Sequence, residues 1–401
     1  MSLRLYRVRL LADLPFYCHP VWLFLSSWAL MLGALEFRIS ESTYPDRWLG
    51  VILFLVSTAS MLLGFAVVRL TDYSAVTSRL SADYSINTKL LRRINALLAL
   101  AILLIAAVNY LTAGAPPLLG IFGIETSSYA EYGRFKQVLF PLAMALTFNS
   151  LLDESRAHSW LGLLLGFGTL LGYLARGPIL LSLMQALILY SIRTSASKRR
   201  IYLRGGCALV LALIAMSILG EARTAREGFL AYLDIKPDFR SWPIILLWPI
   251  SYFSIPISNM CWIVRDLHFH GPTLSFLYPI LPSFLAPGNP HEGVLADPHI
   301  IDGVHTYLSG YFLDFSWAGV VGCNLLIGVL GGFLVNRERV SRNFLISPAL
   351  LTAVGFIFFW DFFLYLPTIV ELCIQGVVQK LCIVPVRTPG ARRPAVDPLD
   401  I

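Results

Sequence analysis

The chain has 401 residues, 57% of them hydrophobic and only 14% charged, and its mean hydropathy is +0.69. That balance excludes an ordinary soluble domain and describes a chain whose main solvent is a lipid bilayer. The net charge of +7 does not point to nucleic acid, because the basic residues sit in short loops between apolar runs, where membrane topology accounts for them.

Along the chain, apolar runs at 20–36, 48–70, 94–113, 137–152, 160–175, 177–192, 205–220, 242–264, 272–286, 313–335, 347–364 and 367–384 predict an all-α polytopic membrane protein. The expected count is about twelve transmembrane helices, ten to twelve in all. Arg4, Arg7 and Arg9 precede the first run with no small-residue cleavage site after it, so that run is read as a retained span. Between 241 and 286, Pro243, Pro249, Pro256, Pro272, Pro279 and Pro282 interrupt two runs, which are read as kinked spans or as segments in the outer interface. Residues 1–384 form one integral membrane domain, with outer loops at 221–240 and 287–312. The Pro/Arg-rich tail, 385–401, is expected to be disordered.

Charge sets the orientation. Twenty-one of the 31 Lys and Arg fall in segments read as inner, and nine fall in outer ones: Arg38, Arg47, Arg134, Lys136, Arg176, Arg223, Arg226, Lys236 and Arg240. Both termini are therefore predicted to lie in the cytoplasm. The six cysteines lie in or beside apolar runs without C-x-x-C pairs or zinc spacing, and are read as packing residues.

In "GYLARGPILLSLMQALILY", Arg176 stands between two apolar runs, directly before Gly177 and Pro178. With the basic stretch 193–204 inside, the helix after Arg176 runs inward, so Arg176 lies at the outer face, at that helix's start. Pro178 suits a first turn and Gly177 leaves the backbone open to close approach. A guanidinium beside free amides and a positive dipole end can hold an anion such as phosphate; it can equally snorkel to lipid headgroups. Arg223 and Arg226 in "GEARTAREGF" share a helical face just outside a span, and Arg134 in "SSYAEYGRFKQ" precedes another. Glu221 and Glu227 could neutralise that cluster.

The last outer segment brings His291, Glu292, Asp297, His299, Asp302, His305 and Asp314 together without a Lys or Arg. It could supply a general base opposite the arginines. Asp314 is open to a second reading, as the cap of the following helix. His299, Asp302 and His305 fall three apart on one helical face, but HExxH and similar signatures are absent and no metal is expected.

The "ARGPILLSLMQALILY" helix, the "GEARTAREGF" loop, "SYFSIPISN" and "HTYLSGYFLDFSWAGVVGCNLLIGVLGG" resemble the Wzy-type O-antigen polymerases, which polymerise oligosaccharide repeat units. Tyr311, Asp314, Phe315 and Gly319 approximate that family's Y-x-D-F-G-x-x-G pattern, with Ser316 and Trp317 at its first glycine. The resemblance covers roughly residues 110–365. It implies a GT-C-like, multi-pass glycosyltransferase of the bacterial inner membrane, acting at the periplasmic face. Undecaprenyl-diphosphate-linked oligosaccharide would be donor and acceptor, with membrane lipids around the protein and a chain-length regulator as possible partner.

The residues themselves agree with a lipid-diphosphate donor. There is no D-x-D pair for a nucleotide-sugar metal and no G-x-x-x-x-G-K-[ST], so no cofactor is signalled. Outer-face cations would stabilise a leaving diphosphate, and a carboxylate or imidazole would take the acceptor's proton. Arg176, Arg223, Arg226 and Arg134 are the expected diphosphate-binding residues, and His305, Asp302 and Asp314 the candidates for base. An O-antigen ligase shares the donor, though a large outer domain is missing here. A transporter or flippase of lipid-linked glycans would favour mid-membrane polar residues and inverted repeats, whereas the polar residues read as gathered at one face.

Overall fold

The computed structural model describes residues 6–7, 15, 18–41, 46–71, 83–124, 126, 133–194, 197–224, 226–266, 271–280, 306–335, 345–358 and 365–386. Its elements are almost entirely helical: α1 (Pro20–Leu35), α2 (Arg47–Thr71), α3 (Thr88–Ala113), α4 (Gly133–Ser150), α5 (Arg156–Gly172), α6 (Arg176–Arg193), α7 (Lys198–Thr224), α8 (Arg226–Tyr232), α9 (Pro237–Arg240), α10 (Ile244–Asp266), α11 (Leu308–Val335), α12 (Ile346–Gly355) and α13 (Leu366–Cys382). Among the described residues, four helices are long and apolar enough to cross a membrane: Arg47–Leu70, Thr88–Ala113, Ile244–Asp266 and Leu308–Leu334. α1 and α12 are shorter apolar helices. Large side chains such as Leu55, Leu97, Leu161, Leu203 and Leu211 point outward. That surface is stable in hydrocarbon and costly in water.

Two expected runs take a different form. Within 272–286, the described residues 271–280 hold only a short 3-10 helix, Ser275–Ile280, which follows Gly271 at φ 100 and Leu274 at φ 58. Two left-handed residues and Pro272 within four positions prevent a continuous helix there. In 347–364, α12 stops after ten residues at Gly355, and a turn follows through Phe358. By contrast α10 runs unbroken through Pro249 and Pro256. Pro249 cannot donate to the Ile245 carbonyl, and Ser217 Oγ of α7 reaches that carbonyl at 3.4 Å. That hydroxyl's main bond is to Leu213 O at 3.0 Å, so it compensates for the lost backbone bond only in part.

The closest helix pair is α2 with α11, and glycine makes it possible. A Cβ on Gly64 would overlap the Leu325 carbonyl oxygen, and one on Gly328 the Met61 carbonyl oxygen. Gly328 and Gly332 form a G-x-x-x-G step on α11, so two backbones meet where lipid gives no hydrophobic drive to association. Beside this seam, Phe24, Trp28 and Met31 of α1 pack with Leu53 and Met61 of α2, Met260 and Ile263 of α10, and Phe312, Val320 and Ile327 of α11. Tyr307 donates to Asn324 Oδ1 at 2.5 Å, and Asn324 Nδ2 reaches Ser57 Oγ at 3.2 Å, so these three buried side chains form one hydrogen-bonded chain.

Strands β1 (Tyr6–Arg7), β2 (Asp83–Ile86) and β3 (Ile383–Val386) form a small antiparallel sheet in the order β1-β2-β3. It brings the first described residues, the start of α3 and the end of α13 to one end of the helical body. Near that end Arg92 of α3 binds Asp153 of the α4–α5 turn through Nε at 2.9 Å and Nη2 at 2.9 Å. Arg193 Nη1 donates to the Leu151 carbonyl of the same turn at 3.0 Å.

Candidate functional site

α5 and α6 are joined by Tyr173, Leu174 and Ala175, with Leu174 at φ 49. The Leu174 N–H bonds Leu171 O, the Ala175 N–H bonds Leu170 O, and the Arg176 N–H bonds Leu174 O at 2.9 Å. This tight reversal places Arg176 as the first residue of α6. The Ile179 N–H bonds Ala175 O and Pro178 has no N–H, so Gly177 is the remaining amide of that turn. The helix start therefore offers one backbone donor, fewer than an open first turn. A Cβ on Gly177 would meet nothing within 4 Å, so this approach to the backbone is open.

The Arg176 guanidinium carbon lies 4.5 Å from the centroid of Trp248 and 5.6 Å from that of Tyr252, both on α10. Trp248 and Tyr252 are one helical turn apart and stack with centroids 5.6 Å apart at 23°. Phe229 of α8 covers Trp248 at 4.1 Å, and Gly220 of α7 lies so close to the indole that a Cβ there would come within 2.5 Å of it. The indole is wedged between helices and only 6% exposed. It holds the cation by the ring's quadrupole, an interaction of about 0.5 to 2 kcal/mol depending on desolvation. A half-buried guanidinium clamped over two rings has a defined position. A snorkelling side chain, which follows the headgroups, does not.

Arg226 opens α8, and its Nη2 donates to the carbonyls of Arg240 at 2.7 Å and Trp242 at 3.0 Å. Arg240 Nε in turn donates to Ile235 O at 2.9 Å. Both arginines hold the 235–242 turn together. The same loop is tied to the α1–α2 connection, since the Lys236 N–H bonds Ile39 O at 2.9 Å and the Glu41 N–H bonds Asp234 O at 3.0 Å. Arg223 falls in the last turn of α7 and Arg134 in the first turn of α4, and the side chains of both lie outside the described residues.

Asp314 is fully buried in the second turn of α11. One oxygen accepts from the Thr273 N–H at 3.1 Å and from Thr273 Oγ1 at 2.5 Å; the other accepts from the Phe276 N–H at 3.1 Å. It caps a neighbour, the 275–280 turn, and not the start of its own helix as the sequence allowed. Just after it, Ser316 breaks α11 with φ 55 and ψ −145, a region that glycine tolerates far better than serine. A Cβ on Gly319 would overlap the Tyr311 carbonyl oxygen across this break.

His305 and Asp302 lie outside the described residues, as do His291, Glu292, Asp297 and His299. Among the described residues no three His, Cys, Asp or Glu side chains gather as metal ligands. Trp248, Tyr252 and Thr273 were not singled out from the sequence. The i, i+4 aromatics of "WPISYF" beside an arginine helix are the one local sign of the first two, and nothing local marks Thr273.

No family model, curated protein or solved structure matches this chain.

Proposed function

We propose that the chain is a multi-pass glycosyltransferase that polymerises lipid-diphosphate-linked oligosaccharide repeat units at the outer face of a bacterial inner membrane. The observation that carries this reading is Arg176, fixed over Trp248 and Tyr252 beside the uncovered Gly177. A planar cation positioned at an open helix start suits a diphosphate, which needs charge stabilisation as it leaves and no redox or nucleotide cofactor. Arg223 and Arg134 would add charge from neighbouring helix ends. Arg226 would order the 221–240 loop, which carries Arg223. Asp314 is assigned to shaping the acceptor side by holding the 271–280 segment, and His305 and Asp302 stay the preferred bases. The sheet that joins β1, β2 and β3 supports both chain ends lying on one side, in keeping with an even number of about twelve spans.

Purified protein given an undecaprenyl-diphosphate-linked repeat unit is expected to form a ladder of longer lipid-linked glycans without ATP. Absence of a ladder, with substrate binding intact, would reject the reading. A second reading, transport of the same lipid-linked glycan, is favoured by a specific finding. Glu371, Gln185 and Gln375 are buried in the helical interior, so polar residues are not confined to one face. Flipping of the substrate across sealed vesicles without a change in glycan length would establish it instead.

A further inference from the structure

α4 and α12 each pack against both α6 and α13, while α6 and α13 are much less closely packed against one another. Long polar side chains bridge the gap. On α13, Thr368, Glu371 and Gln375 follow one face at intervals of three and four; on α6, Ser182 and Gln185 lie three apart. The two faces meet where Gln185 Nε2 donates to Glu371 Oε2 at 3.0 Å.

All five side chains are more than nine-tenths buried, with exposures of 4% for Ser182, 1% for Gln185, 2% for Thr368, 0% for Glu371 and 1% for Gln375. Beyond that single bond, Ser182 Oγ, Gln185 Oε1, Thr368 Oγ1, Glu371 Oε1 and both amide atoms of Gln375 have no hydrogen-bond partner among the described residues. Most other buried helical hydroxyls here return to a carbonyl one turn back, as Ser27, Ser150, Ser191 and Thr352 do. Among the described residues no Lys, Arg or His pairs with Glu371. A buried carboxylate without a counter-charge, surrounded by orphaned oxygens, is unfavourable by several kcal/mol unless something fills the space. In a membrane protein such a residue marks a site.

We propose that Ser182, Gln185, Thr368, Glu371 and Gln375 form an oxygen-lined binding site for a monovalent metal cation between α6 and α13. The donor set is one carboxylate, amide carbonyls and hydroxyls, which is hard-cation chemistry with no soft ligand. Charge selects the valence: a monovalent ion neutralises Glu371, whereas a divalent ion would leave a positive charge buried. Bound there, the ion would tie α13 to the middle of α6, the helix that begins at Arg176. The site does not depend on the glycosyltransferase reading and would persist if that reading failed.

The test uses the full-length protein in detergent, with Na⁺ as probe. Melting temperature is measured against NaCl, with choline chloride keeping ionic strength constant. A saturable rise of roughly 2 to 4 °C is expected with Na⁺ and none with choline, as for any ligand that binds only the folded state. Glu371→Gln and Thr368→Val should each abolish the Na⁺-dependent rise, and Thr368→Val decides the matter if Glu371→Gln does not fold. Equal melting temperatures in both salts, or a Na⁺ effect retained in both variants, would overturn the site. A melting temperature that follows pH and ignores Na⁺ would overturn it too, in favour of a protonated carboxyl.

Discussion

The start of α6 and the beginning of α11 each present one charged residue beside an apolar run, and the fold uses them in opposite ways. Arg176 is gripped through its flat face by Trp248 and Tyr252, a contact between the guanidinium plane and two aromatic rings. Asp314 is gripped through its oxygens, which take the two N–H groups and the hydroxyl that shape the 271–280 segment. The first contact fixes where a charge lies, and the second ties a carboxylate to the backbone that it shapes. Arg226 belongs to the second kind, since its Nη2 closes the 235–242 turn.

The sharpest way to break this contrast is at Arg176. Arg176→Ala is expected to lower polymer formation by about a hundredfold to a thousandfold, the usual cost of removing one electrostatic stabiliser of a transition state, with expression unchanged. Arg176→Lys should recover little, because an ammonium cannot offer the two-pronged geometry that a phosphate accepts. Full-length polymer from Arg176→Ala, read on a glycan gel, would reduce Arg176 to a headgroup anchor.

Asp314→Asn tests the other half. An amide has one acceptor oxygen where the carboxylate has two, and its NH₂ would confront the Phe276 or Thr273 N–H. A loss of about 1 to 3 kcal/mol in stability is expected, together with reduced polymer. If activity vanishes while the melting temperature holds, Asp314 acts on the substrate and the distinction drawn from its hydrogen bonds is wrong.

A smaller effect is expected two residues further on. Ser316→Gly should relieve the left-handed backbone and stabilise the protein by about 1 kcal/mol, whereas Gly319→Ala, which drives a Cβ into the Tyr311 carbonyl, should destabilise it. Thermal melts of the two variants moving in the same direction would show that the break in α11 is not held as described.

The smallest effect is expected away from both regions, in the α4–α5 turn, and gives a baseline for acid sensitivity. Burial would raise the Asp153 carboxyl, but the bond from Arg92 and the Ser155 N–H outweigh it and hold the group below the usual carboxylate range. A depressed value stabilises the fold at pH above the ordinary Asp value near 4, and that contribution is lost as pH falls through the folded value. Arg92 is 37% exposed, so solvent screening keeps the effect below about 1 kcal/mol. Asp153→Asn should flatten the fall in melting temperature between about pH 5 and pH 3; an unchanged slope would assign acid sensitivity to other carboxylates.

What could be read from the sequence alone follows from solvent preference and local geometry. Apolar runs near the length of a bilayer located α1 to α7, α10, α11, α12 and α13, because a backbone in lipid must satisfy its own hydrogen bonds. The placement of Arg176 at the start of a helix was legible because Gly177 and Pro178 are local signals. At 272–286 the sequence left a kinked span and an interfacial segment both open, because apolar content does not reveal left-handed residues such as Leu274, which limits the described part to a short 3-10 helix. Tertiary structure alone decided the partners. The clamp on Arg176 comes from α10, far along the chain, and the load on Asp314 comes from a segment about 40 residues earlier. Glu371 in "LPTIVELCIQ" could have been noticed as a charge inside an apolar run, but only packing showed that, among the described residues, Gln185 of α6 is its one partner and the oxygens around it are unsatisfied. A sequence states which groups must find partners, and the fold determines which of them do.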